Sequence, residues 1–529
     1  MGGPAGPSSV TPFTADAGAP SRAGRILRSV WLWPMLLTFG VGLYKVDTPE
    51  LWRDELASLS AADRSVPQLL RLLEHVDTSS GAYYFFMHCW MKVFGDSVLV
   101  LRLPSVLAMA ATAGCLAAIG RRMLSARAGV LAALVFAVIP SVSRYAQEVR
   151  SYALTMFMVT LATLMLLRAL EQPRARRAKR QRMLRWLLFG GSVAVAGLLS
   201  LVSLAVLPAF GVLTLLEWRR QRDRRVLWGF VSACVGGVSV LIPVAVKAAG
   251  QASAQISWIP EPSLTDVGHL WPQIGCSYAV SYGMAACLVL LLLLAAFRRI
   301  DRTQALTALT LAVLPVVVVW LVSQGGQSYW LARYLLFIVP AWALVAGAVL
   351  SCLGRVAAVS GLVVVTALGG TNQVQLRARG SHDVWDYPHS VKAASVDYEA
   401  AAKVIQANHQ PGDGLVTAQW LWAPFLFDVG LRYYLPEGEL GLRKPVLAQT
   451  ANKAGLLGQV DTAQPRRPIG SEPRLWLVTL VVGEELEPYR FIAGDIGAAL
   501  QAHYRIEKQW RVSSGAEVAL LVRIPSPPK

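Results

Sequence analysis

Charged side chains are scarce in this sequence, at 16% of 529 residues against 54% apolar. A string of soluble domains is excluded by that shortage, because several separate cores need far more polar surface to cover them. Metal and disulfide patterns are missing as well. The six cysteines (Cys89, Cys115, Cys234, Cys276, Cys287 and Cys352) show no metal-ligand spacing, and none follows Cys352. They read as small apolar fillers in or beside apolar runs, with no disulfide framework. No glycine-rich phosphate loop and no internal repeat is found, which removes the P-loop and solenoid classes.

What is abundant is apolar runs long enough to cross a bilayer, for which ~17–25 residues are needed. The net charge of +18 lies mostly in arginine clusters between those runs. That is the pattern of cytoplasmic loops under the positive-inside rule, so it implies no nucleic-acid partner. Residues 1–28 read as a disordered cytoplasmic tail rich in Gly, Pro, Ser and Thr. Arg22, Arg25 and Arg28 resemble the start of a signal peptide, but no small-residue cleavage site follows, so the first run is a retained helix.

The runs lie at about 29–44, 97–120, 128–143, 151–169, 186–218 (two crossings), 226–246, 276–297, 304–322, from Arg333, and on to Gly370. The 186–218 stretch has basic flanks on both sides, which demands an even number of crossings. The expectation is a polytopic α-helical membrane protein of about eleven transmembrane helices over 29–371, with the N-terminus inside. Residues 45–96 form an acidic first external loop, with helices over Val66–Val76 and Tyr83–Phe94 lying along the membrane surface. The loop 251–273 is also external. Residues 372–529 turn soluble and alternate helix (Tyr398–Asn408, about 492–503) with strand (after Gly414, Leu475–Val482, Glu517–Ile524), a small external α/β domain.

The charges that do occur near membrane level sit at the external helix ends. Trp52-Arg53-Asp54-Glu55 follows the first helix, Glu148 and Arg150 follow the third, and Arg333-Tyr334 opens a late one. A carboxylate among arginines suits displacement of a lipid phosphate by a hydroxyl: the carboxylate takes the acceptor's proton and the cations meet the growing negative charge. Neighbours on a helix point ~100° apart, so Asp54 and Glu55 cannot both face one atom. One is the base, and the other anchors an arginine or a metal. Plainer readings stand beside this one. An acidic pair in a loop is ordinarily just solvated, and Glu148 with Arg150 also fits a surface ion pair. Arg333-Tyr334 also fits a snorkelling arginine with a belt tyrosine. His75 and His88 read as structural before they read as ligands, and Trp258-Ile259-Pro260 as a head-group anchor.

Taken together, Arg53-Asp54-Glu55, Tyr83-Tyr84 with His88 and Trp90, Phe94-Gly95-Asp96, Arg102-Leu103-Pro104-Ser105, the run Tyr145 to Tyr152 and Arg333-Tyr334 carry a resemblance. The chain resembles glycosyltransferase family 39, the protein O-mannosyltransferases and lipid A aminoarabinose transferases, as a bacterial, actinobacterial-type member. The likeness is specific from Trp52 to Tyr152 and traceable to Pro340; Asp413-Gly414 and Tyr433-Tyr434 look like the external domain of bacterial members. It implies a GT-C-like fold and an inverting glycosyltransferase of the plasma membrane. The donor would be a polyprenyl-phosphate sugar, and the acceptor an envelope glycan, glycolipid or protein, on the outer face. It maps the base onto Asp54, with Glu55 supporting it. Arg53, Tyr83, Tyr84, Glu148, Arg150, Tyr152, Arg333 and Tyr334 become the substrate and phosphate residues. No metal ligands are assigned: Ser79-Ser80-Gly81 replaces the family's proline or histidine before the tyrosines, and no histidine stands near Ser203. A divalent cation is left open as cofactor. The rival classes are a lipid-carrier flippase, which needs broken polar helices and repeat symmetry, and a non-catalytic polyprenyl-phosphate-binding scaffold.

Overall fold

The computed structural model describes residues 31–525 except 172–177, 381–394, 419–424, 436–437, 463–468, 482 and 493. The tail read over 1–28 lies outside the described residues. Among the described residues, eight helices are long and apolar enough to cross a membrane, and two further spans are bent pairs. With the short apolar helix Leu32–Leu43 they occupy the eleven segments read from the sequence. The chain is a multi-pass helical membrane protein. Helix packing rests on small residues. At Gly120 and Gly129 the helices Val98–Met123 and Ala126–Val138 come so close that a Cβ on either would strike the other's backbone.

Two boundaries differ from the sequence reading. The third run is not one helix but Ala126–Val138 and Pro140–Ala146, bent by 65°, because Pro140 cannot donate into the ladder. The run over 226–246, likewise, is Arg224–Ser239 and Ile242–Gln255, bent by 56° just before Pro243. Two of the spans are therefore broken helices. The loop expected over 251–273 is also largely helical. It continues the Ala-rich helix to Gln255 and then forms Leu264–Gly275, whose start is capped by Ser263 and Asp266.

Between the first two spans, residues 45–96 fold into three short helices, Arg53–Ala62, Val66–His75 and Gly81–Phe94. The last two do not simply lie along a surface. Leu69, Leu72, Tyr83, Tyr84 and Met87 share one buried cluster with Tyr398, Phe427 and Trp476 of the C-terminal unit. That unit carries a four-stranded sheet in the order β1 (Gly414–Thr417), β4 (Arg474–Leu480), β6 (Ala516–Arg523), β5 (Tyr504–Arg511), with a small β2 (Leu447–Gln449) and β3 (Val460–Asp461) pair apart. Only β1 and β4 run parallel in the large sheet.

Docking of the C-terminal unit on the first loop is polar as well as apolar. Ser60 Oγ donates to the Leu457 carbonyl at 2.7 Å, and Arg64, itself buried, donates to the carbonyls of Leu456 and Ser60. Tyr434 accepts from the Leu51 amide at 3.0 Å, and Tyr433 donates to the Asp96 carbonyl at 2.8 Å. These contacts hold the C-terminal unit against the helix that begins at Arg53.

Candidate active site

Helix Arg53–Ala62 starts by self-capping: the Trp52 amide donates to Glu55 Oε2 at 3.2 Å. That bond points Glu55 back into the protein and leaves Asp54 on the other side. Glu55 is fully buried and meets Arg102 in a fork, with Nε to Oε1 at 2.9 Å and Nη2 to Oε2 at 2.8 Å. The Val149 amide donates to the same Oε1 at 3.0 Å. Arg102 spends its other donors on the carbonyls of Val46, Pro49 and Glu50. Glu55 thus stitches the first loop, the second span and the segment at Val149 together, and it does not line a cavity.

Asp54 does. It opens onto a cavity of about 960 Å³ whose head is formed by Arg53, Asp54, Asp77, Arg150, Tyr152, Arg333 and Tyr334. Its ion pairs are long: 3.6 Å from Oδ1 to Arg53 Nε and 3.9 Å from Oδ2 to Arg333 Nη2. Burial pushes the Asp54 carboxyl up, but the guanidiniums of Arg333, Arg150 and Arg53 outweigh it and hold the carboxyl below its ordinary value. The carboxylate is therefore ionised. Arg53 lies 5.6 Å over the Phe425 ring, and Arg333 lies about 6 Å from the rings of Trp258 and Tyr334.

Away from this head the walls become apolar. Leu199, Leu201, Val202 and Leu204 line one side, and Val318, Val319 and Val322 another. Ala245, Ala248, Ala249 and Ala252 line the cavity too; their spacing is one helical face of small residues, which leaves width between the walls. Leu426 and Leu457 bring the C-terminal unit into the lining.

Of the residues singled out in the sequence, Arg53, Asp54, Arg150, Tyr152, Arg333 and Tyr334 line one cavity. Tyr84 stands one layer behind, its hydroxyl 3.4 Å from Arg150 Nη1 and 2.7 Å from Asp77 Oδ2. Tyr83 is buried and does not line this cavity. Glu148 is buried too: its Oε2 is 3.9 Å from Arg144 Nη1, and its carbonyl accepts from Ser105 at 2.6 Å. Glu148 thus faces Arg144, whose helix ends at Ala146 before the chain turns toward Arg150. The sequence reading passed over Asp77, Tyr329, Gln255 and the two leucines; only tertiary structure brings them to the cavity. The one available signal was an aspartate just before a Thr-Ser-Ser-Gly turn.

His88 Nδ1 is 2.9 Å from the Ala62 carbonyl and His75 Nδ1 is 2.8 Å from that of Arg71. Among the described residues no group of three or more His, Cys, Asp and Glu could hold a metal ion. At the cavity head a divalent cation would have to settle among three guanidiniums whose positive charge already acts on Asp54, which does not fit the charge of the site.

Residues 81–246 match the family model described as dolichyl-phosphate-mannose-protein mannosyltransferase. Over that stretch the resemblance to the family holds. The fold agrees across nearly the whole chain with crystal structures of ArnT from Cupriavidus metallidurans. In the apo state the TM-score is 0.58 at 13% identity, covering 94% of this chain and 98% of that one. For the form bound to undecaprenyl phosphate it is 0.56 at 14% identity, with the same coverage. At these identities the likeness is one of fold, the GT-C architecture of membrane glycosyltransferases. No curated protein matches in sequence.

Proposed function

We propose that this chain is a glycosyltransferase that moves a sugar from a polyprenyl-phosphate donor to an acceptor hydroxyl, with inversion at the anomeric carbon. The observation that carries the reading is an ionised Asp54, set among Arg53, Arg150 and Arg333, at the charged head of a cavity whose far walls are apolar. An isoprenoid chain fits such walls, and a phosphate fits such a head. The family match over 81–246 and the fold shared with ArnT bound to undecaprenyl phosphate support the same chemistry.

In the reaction, the donor's phosphate meets Arg150 and Arg333. Asp54 takes the proton of the acceptor hydroxyl as that oxygen attacks the anomeric carbon. The bond from the anomeric carbon to the phosphate oxygen breaks, and polyprenyl phosphate leaves as an anion stabilised by the two arginines. No strong acid is required, because a phosphate oxygen departs readily with its negative charge. Glu55 contributes by keeping its helix in register through Arg102. We take the sugar to be mannose or a similar hexose or pentose, and the acceptor an envelope glycan, glycolipid or protein. The reaction would run on the outer face of the plasma membrane, with the C-terminal unit covering the acceptor side.

The test is transfer of labelled sugar from polyprenyl-phosphate sugars by purified protein, beside Asp54→Asn and Arg333→Ala. Transfer by the wild type that Asp54→Asn abolishes, with donor binding retained, is the expected result. Donor binding without transfer from any sugar would instead make the chain a scaffold, and lipid flipping without binding at this head would make it a transporter.

A further inference from the structure

Asp77 is a carboxylate at the cavity head that the mechanism above does not use. It sits in left-handed backbone, φ 55°, which Asp tolerates better than most side chains. The turn it opens is tightly held. Thr78 Oγ1 donates to the Leu73 carbonyl at 2.5 Å, and the Thr78 amide donates to Gln251 Oε1 at 3.0 Å. Three residues on, Gly81 packs against Leu73, where a Cβ would come 2.9 Å from Leu73 Cδ1, so the turn lies close on that side chain. Gln251 belongs to the alanine-faced helix along the cavity, so the turn is moored to the apolar wall as well as to the first loop.

From this fixed point a chain of donors runs to the site. The Tyr84 hydroxyl, with no exposed surface on its residue, donates to Asp77 Oδ2 at 2.7 Å. Burial, and next the Asp77 carboxylate, raise the Tyr84 phenol above its ordinary value, so it keeps its proton and commits it to Asp77. The phenol oxygen is then left to accept, and Arg150 Nη1 donates to it at 3.4 Å. Burial works against the charge of Arg150, but Tyr152, Tyr84, Asp54 and Asp77 together outweigh it. Arg150 thus shares the cavity head with Asp54 and is linked to Asp77 through the Tyr84 hydroxyl. A long arginine on the short link before Tyr152 would otherwise lose freedom only when the phosphate arrives.

We propose that Asp77 is a positioning residue, which through the Tyr84 hydroxyl holds the Arg150 guanidinium beside Asp54 before the lipid phosphate binds. This rests on the reading of the cavity head as a phosphate site. It also assigns Tyr84 a relay role and not a substrate contact.

The experiment uses the purified full-length chain with Asp77→Ala, Tyr84→Phe, the double variant and Asp77→Glu. Three quantities are read: phenylglyoxal labelling of Arg150 by mass spectrometry against Arg53 and Arg333, binding of polyprenyl phosphate, and kcat and KM with polyprenyl-phosphate mannose. Asp77→Ala and Tyr84→Phe should each lower kcat/KM by about ten- to a hundredfold. Arg150, alone of the three arginines, should label several times faster, and Asp77→Glu should recover part of the loss. The double variant should be no worse than the worse single one, since both cut the same chain. Tyr84→Phe keeps the packing, so it decides the matter even where Asp77→Ala fails to fold. Losses that multiply, or Arg150 labelling unchanged in Tyr84→Phe, would overturn the proposal. A wild type that neither binds nor transfers would bring down the phosphate-site reading; Arg150 labelling would then still confirm or refute the chain by itself.

Discussion

Two adjacent carboxylates on one helix end in opposite kinds of surroundings. Glu55 meets Arg102 at 2.8–2.9 Å, with no exposed side-chain surface on either partner and backbone donors and acceptors completing the set. Asp54 has its arginines at 3.6 and 3.9 Å and keeps 15% of its side chain exposed to the cavity. The first arrangement is closed: nothing further can bind it, and its value is to fix the backbone. The second is open: charges of both signs are near but not locked, so an incoming hydroxyl and phosphate can replace the long contacts with short ones. A structural ion pair saturates its partners; a reactive site leaves them room.

The comparison is most sharply tested by neutralising each carboxylate. Asp54→Asn should cut transfer by on the order of a thousandfold, the scale of a lost general base. Polyprenyl phosphate binding and thermal stability should stay close to wild type. Measurable turnover at near-normal rate would move the base elsewhere. Arg102→Ala should cost ~3–5 kcal/mol of stability by leaving Glu55 buried without its partner. Thermal melting of Arg102→Ala beside Arg102→Ala/Glu55→Gln checks this, and the double variant should recover part of the loss.

A third variant works on the open side. Arg333→Ala should weaken polyprenyl phosphate binding by roughly tenfold or more, the scale of one charge-assisted contact. Arg333 is also the strongest of the cations holding the Asp54 carboxyl down. Its removal raises that carboxyl, and since the base works ionised, the acidic limb of the pH–rate profile should shift to higher pH. A shift to lower pH would contradict the geometry. The smallest effect is expected far from the site. Burial pushes Asp461 up to about 7, with Gln459 as its partner. A carboxyl raised on folding favours the native state fully below its unfolded value and loses that contribution as pH climbs through the folded one. Asp461→Asn should therefore stabilise the C-terminal unit at pH 8, with the gain gone near pH 4, as melting curves at the two pH values would show.

Much of the fold was legible because its signals are local. Apolar run length and arginine placement located the spans, and Tyr398–Asn408 was read with its observed bounds. What escaped has nameable causes. Strand β5 carries Arg505, Glu507, Lys508 and Arg511 and lies at the edge of its sheet, so no apolar alternation marks it. The helix Leu264–Gly275 was hidden by Pro272 within it. At the site, charges near helix ends were visible one by one, but which of them share a cavity was not.

By itself, then, the sequence determined that this chain crosses a membrane many times, and that a few charged and aromatic residues gather at the ends of its spans. Burial of apolar side chains and the placement of charge are properties of short segments, so they can be read residue by residue. Tertiary structure decided which carboxylate faces the cavity, because a turn of ~100° between Asp54 and Glu55 acquires meaning only once Arg102 lies on one side and Arg333 on the other. It likewise brought Asp77 within reach of Arg150 through Tyr84, and Leu426 and Leu457 to the cavity wall. Contacts between residues tens to hundreds of positions apart leave no local periodicity in the chain, and the folded packing alone makes them.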